Sequence, residues 1–96
     1  MTIYIAGPMT GIVNDNREGF NEAEAFLKAK GHTALNPALL PRTLDDKKYL
    51  PICIAMLEAC DAIYMLDGWE NSQGAKAELA YAKRQGKVVI YQGAHL

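Results

Sequence analysis

Four short apolar runs alternate along this chain with three longer segments in which apolar residues recur every three or four positions. The runs lie near residues 2–6 (TIYIA), 33–35 (TAL), 61–66 (DAIYML) and 87–91 (KVVIY). They are rich in β-branched and aromatic residues, and the first three are stopped by Gly7-Pro8, Asn36-Pro37 and Gly68. Such runs read as buried strands. The segments between them, near 16–31, 49–60 and 72–86, read as helices. In the first, Phe20, Ala23, Phe26 and Leu27 keep the helical rhythm and Gly31 ends it. In the second, Pro51 is expected in the first turn, where its missing N–H costs nothing. Strand-helix alternation with near-continuous apolar strands predicts an α/β, Rossmann-like or flavodoxin-like three-layer sandwich. Its sheet is mainly parallel, of about four strands, and covered on both faces.

No repeat or low-complexity segment interrupts the pattern, and 96 residues leave room for one core, so residues 1–96 are expected to form a single domain. The formal net charge of −1 gives no basic field for a nucleic-acid backbone, so no nucleic-acid partner is expected. No apolar run reaches the length of a membrane span, and the N-terminus lacks the basic and apolar regions of a signal peptide. Cys53 and Cys60 have no zinc-ligand spacing and read as free, buried thiols of a reducing compartment. The expectation is a cytoplasmic protein with no membrane partner, no metal and no cofactor.

In a sheet of this kind ligands bind beyond the carboxyl ends of the strands. That places the candidate site on three loops: GPMTG (7–11), Asn36-Pro37, and DGWENSQG (67–74). Gly7, Pro8, Met9 and Gly11 would bring backbone close to a small anionic or sugar-containing ligand, although a plain turn accounts for the same residues. Asn71 or Ser72 suits the N-cap of the last helix. Glu78 follows about two turns in, and helical side chains lean toward the N-terminus, so its carboxylate points back to the strand ends. Alternatively Glu78 is a surface residue paired with Lys76 or Lys83. Trp69 is either a core residue or a lid over a base.

YIAGPMTG (4–11), CDAIYMLDGW (60–69) and SQGAKAELAYA (72–82), in that order, resemble the nucleoside 2-deoxyribosyltransferase superfamily, and within it a small subgroup common in phages and prophages. The resemblance covers essentially the whole chain. It implies a nucleoside or nucleotide substrate and cleavage or exchange of an N-glycosidic bond. The activity would be that of an N-deoxyribosyltransferase or of a 2′-deoxynucleoside 5′-monophosphate N-glycosidase, a hydrolase. It assigns the nucleophile to Glu78, an orienting role to Tyr4, phosphate binding to Ser72 with Gly74 beside it, and a pocket lining to Gly7 and Gly11. Tyr4 is otherwise a core aromatic and Ser72 a helix cap.

One departure stands out. Relatives carry an Asp on the second main helix, and here Cys53 or a neighbour occupies that place. A general acid is worth about 10²–10⁴-fold in rate. Asp45, Asp46, Asp67 or a residue of a second subunit could take the role. A catalytically weak nucleotide-binding module on the same scaffold is the alternative. The second helix is apolar nearly all round, with Ile52, Cys53, Ile54, Met56 and Leu57, which predicts a homodimer or higher homo-oligomer packed through it.

Overall fold

A computed structural model describes residues 1–94 of the chain. Four strands, β1 (Thr2–Ala6), β2 (Thr33–Leu35), β3 (Ala62–Met65) and β4 (Val88–Tyr91), form one sheet in the order β2-β1-β3-β4. Every pairing is parallel, with Tyr4 opposite Leu35 on one side and Ile63 on the other. Three helices link them: α1 (Arg17–Ala29), α2 (Asp46–Glu58) and α3 (Gln73–Arg84). The α/β, flavodoxin-like architecture expected from the alternation is the one observed.

The two faces follow from the period of two along each strand. Ile3 and Ile5 point to one side, where they meet Phe20, Ala23 and Leu27 of α1. Tyr4 and Ala6 point to the other, against Cys53 and Leu57 of α2 and Ala75, Leu79 and Ala82 of α3. Parallel connections are right-handed. The chain therefore moves outward from β1 to β2 through α1, then crosses back over β1 to β3 through α2. The reversal at β1 opens a crevice between the ends of β1 and β3.

Local chemistry sets the loops at that crevice. After Gly11 the chain passes through Asn14, Asp15 and Asn16, all left-handed with φ between 53° and 60°. Asn and Asp tolerate this region better than other residues with a side chain. The turn brings the Asn16 Nδ2 to donate to the Pro8 carbonyl at 2.9 Å, which closes the loop onto the start of α1. At the end of β2, buried Asn36 accepts from the Ala38 N–H at 2.9 Å and donates to Asn21 and Glu24 of α1.

α2 departs from the sequence expectation. It begins at Asp46, because the Asp45 carboxylate accepts the Lys48 N–H at 3.2 Å and caps it. Pro51 therefore lies inside the helix and not in its first turn. Its ring faces outward at an exposed position. On either side of it Leu50, which also lines the cavity described below, and Ile52 are exposed, at 50% and 37%, and no described residue covers them.

Gly7 is required by contact. A Cβ there would lie 2.7 Å from Leu66 Cβ and 2.9 Å from Leu66 Cδ1, and Leu66 is held by its N–H bond to the Ala6 carbonyl. Gly7→Ala is expected to lower stability by about 1–3 kcal/mol, the usual cost of overpacking a rigid core. Urea denaturation reads it, and a variant within about 0.5 kcal/mol of the parent would show that the β1–β3 ends yield freely.

Candidate active site

The three loops singled out by the sheet topology converge on one cavity of about 710 Å³. Its size suits a small organic ligand. Gly7 to Thr10 supply one wall, Pro37, Ala38 and Leu40 a second, and Asn71 to Ala75 a third. Tyr4, Cys53 and Glu78 also face it, from β1, α2 and α3.

Tyr4 is fully buried and its hydroxyl donates to Glu78 Oε2 at 2.5 Å. Glu78 is only 8% exposed, which excludes a solvent-facing helix residue; neither Lys76 nor Lys83 forms an ion pair with it among the described residues. Burial raises the Glu78 carboxyl from 4.5 to about 7, and the Tyr4 hydrogen bond opposes that rise. The Tyr4 phenol is driven far above its ordinary range, first by burial and then by the adjacent Glu78 charge, so it stays a proton donor. The Cys53 thiol is also pushed up by burial, with Tyr4 and Tyr49 hydrogen bonds pulling the other way. It is a neutral group at neutral pH.

Ser72 is the N-cap of α3: its Oγ accepts the Ala75 N–H at 3.1 Å while facing the cavity. That cap leaves the hydroxyl proton free to donate. Gly74 lies in the same wall and is exposed. Pro8 is buried, and Met9 is half-buried with its Sδ 3.3 Å from the Tyr49 hydroxyl. Tyr49 Oη donates to the Pro37 carbonyl at 3.0 Å.

Two of the residues singled out from sequence are not brought to the cavity. Gly11 is exposed at φ +85° with open space around it, so it makes the turn and no wall. Trp69 packs beside Tyr91, ring centroids 6.0 Å apart, on the flank of the sheet. Conversely, the cavity includes Tyr49 and Arg17. Tyr49 shares a helical stripe with Cys53, Leu57 and Cys60, a period that points it inward. Arg17, a charged first-turn residue, carries no such signal.

The arrangement offers a buried carboxyl, Glu78, held by a phenol in a ligand-sized cavity that Asp15 and Asp46 also line, with a helix N-terminus in one wall. Among the described residues no cluster of side chains suits a metal ion. A family model described as a domain of unknown function (DUF4406) matches residues 1–91. A solved structure described as a 2-desoxiribosyltransferase from Leishmania mexicana is similar at a TM-score of 0.76 and 31% identity, over 94% of this chain and 62% of that one. The chain thus spans less than two thirds of that enzyme's length. No curated protein matches it.

The raised carboxyl makes a stability prediction. Between about pH 4.5 and 7 the folded chain keeps a proton on Glu78 that the unfolded chain releases. The stability tied to this group is full below 4.5 and is lost as pH rises through about 7, by roughly 3 kcal/mol for a shift of this size. Glu78→Gln is expected to match the parent near pH 5 and exceed it at pH 8. Parallel stability curves for the two proteins across that range would count against a desolvated Glu78.

Proposed function

We propose that this chain, which belongs to the DUF4406 family, breaks the N-glycosidic bond of a 2′-deoxynucleoside or its 5′-monophosphate with Glu78 as nucleophile. The observation that carries the reading is the buried Tyr4–Glu78 pair facing a ligand-sized cavity in a deoxyribosyltransferase-like fold. The ionised Glu78 attacks the anomeric carbon of the sugar. The bond to the base breaks with its electron pair on the base nitrogen, and a glycosyl ester forms on Glu78. Water or a second base then attacks the same carbon and releases the carboxylate, giving hydrolysis or transfer.

Burial supports this chemistry. A desolvated carboxylate is penalised in the free protein, and the positive charge developing on the sugar relieves that penalty only in the transition state. Tyr4 holds the attacking carboxylate by donating to Oε2, which leaves Oε1 as the oxygen that bonds the anomeric carbon. Ser72, Gly74 and the N–H groups at the start of α3 are suited to an anionic group such as a 5′-phosphate. A neutral thiol at Cys53 cannot protonate a departing base as a carboxylic acid would. That feature favours the second reading, a nucleotide-binding module with little turnover.

A second copy of the chain is part of the proposal. Leu50 and Ile52 on α2 and Leu39 in the turn after β2 are exposed and apolar. A homodimer through this face would cover them. Light scattering at micromolar concentration is expected to give twice the chain mass, and Ile52→Lys to return it to a monomer. A monomeric parent removes the idea.

The test of activity is base release from a panel of deoxynucleosides and their 5′-monophosphates, followed by chromatography. Glu78→Gln is expected to abolish release and keep nucleotide binding measurable. The parent rate should rise with pH through about 7 as Glu78 ionises. Ser72→Ala should weaken the monophosphate by about 1–3 kcal/mol and leave the nucleoside nearly unaffected. Wild-type turnover in Glu78→Gln refutes the nucleophile; binding without any release establishes the binding module.

A further inference from the structure

Two arginines line the cavity, and they differ in what holds them. Arg42 is engaged: it hydrogen-bonds Asn14 and pairs with Asp15, Nε to Oδ2, at 3.8 Å. Arg17 is not. Its Nε is buried with no hydrogen-bond partner among the described residues, and its Nη2 reaches only the Leu40 carbonyl there, at 3.4 Å. Among the described residues it has no carboxylate partner; the ion pairs are Glu24–Lys28 and Asp15–Arg42.

A guanidinium carries five N–H donors and is always charged. A buried donor without a partner costs about 1–3 kcal/mol and is rare in folded proteins. Arg17 Nε is the one such side-chain atom among the described residues. Its head is half-buried in the cavity wall, near enough to Tyr49 for its charge to favour that phenol's ionisation. No ion pair among the described residues restrains it, so the side chain is free to move its Nε–Nη edge toward a ligand in the cavity. That edge matches two oxygens of a phosphate.

We infer that Arg17 is the cationic contact for an anionic ligand in this cavity, and that it selects 5′-phosphorylated substrates over free nucleosides. The identity of the ligand rests on the function proposed above; the anion requirement rests on Arg17. Ser72 supplies a neutral hydroxyl to the same cavity, whereas Arg17 supplies charge. A neutral ligand leaves the unpaired Nε as it is, and a phosphate satisfies it.

The experiment measures binding, not only turnover. Wild type, Arg17→Gln and Arg17→Lys are titrated with 2′-deoxynucleoside 5′-monophosphates, with the matching nucleosides, and with inorganic phosphate at constant ionic strength. Calorimetry and thermal melting give affinity and folding together. Arg17→Gln is expected to lose about 10- to 100-fold in affinity for the monophosphates, the range of a charge-assisted hydrogen bond. It should change nucleoside affinity less than about threefold and lose the stabilisation by inorganic phosphate. Arg17→Lys, which keeps the charge and loses the fork, should fall between and guards against a folding defect in the first variant. Equal weakening of nucleoside and monophosphate, or unchanged phosphate binding in Arg17→Gln, overturns the inference. So does a wild type that binds neither phosphate nor monophosphate. If Arg17-dependent anion binding is found without base release, the glycosidic chemistry fails and this inference stands.

Discussion

The Tyr4–Glu78 hydrogen bond joins the first strand to the last helix across 74 positions of sequence, and the cavity depends on it. Without the phenol, Glu78 would bury a carboxyl against apolar neighbours with nothing to receive it, and α3 would turn that face to solvent or hold it permanently neutral. Without the carboxyl, the Tyr4 hydroxyl would be an orphan donor at the centre of the sheet. The pair is stable because each group satisfies the other. It also fixes where α3 begins, since a helix whose second turn is pinned to β1 must start at the carboxyl end of β3. Ser72 and its neighbours are thereby placed across the cavity from the Gly7 loop.

The same pair sets stability and chemistry against each other. Burial that makes Glu78 a strained anion near neutral pH also makes the folded state prefer it protonated. An apolar pair at these positions would pack without the penalty. Retention of two polar groups there is the kind of local inconsistency that marks a functional site and not a scaffold. The rest of the core shows no such tension: Ile3, Ile5, Leu27, Leu57 and Ile63 are fully buried and apolar.

Much of this was legible from residue order. The strands were marked by β-branched runs and the sheet's parallel sense by the helices between them. The convergence of the loops after residues 6, 35 and 66 follows from topology alone. Helical geometry aims Glu78 back at the start of its helix but leaves a surface Glu equally open, and it was the resemblance that set Glu78 and Tyr4 side by side. Other features were set by contacts no local pattern encodes. Pro51 suggested a helix start, but the Asp45 cap lies upstream and starts the helix a turn earlier, so Pro51 sits in its second turn and forgoes one ladder hydrogen bond. Trp69 sits by Tyr91 because the end of β4 comes alongside β3, a long-range pairing. Gly11 looked like a wall, yet it stands exposed in a left-handed turn with open space around it, one residue beyond Thr10, which does line the cavity. Arg17 became visible only once its missing partners could be counted.

Cys53 ties these points together. It stands in the α2 stripe with Tyr49 and Leu57 and faces the Tyr4–Glu78 pair with a group that stays neutral. A carboxylate there would place two desolvated acids side by side, and like charges in one site push one of the two toward its protonated form. Such a dyad divides labour between a nucleophile and an acid. The thiol forgoes the acid and leaves Glu78 as the only carboxylate beside the phenol, so its charge is governed by burial and Tyr4 alone. Under the proposed chemistry the thiol offers the departing base no acid, and the other carboxylates that line the cavity are Asp46 and Asp15, the latter paired with Arg42. Discrimination between ligands must then come from the walls: the capped start of α3 on one side and the unpaired Arg17 on the other.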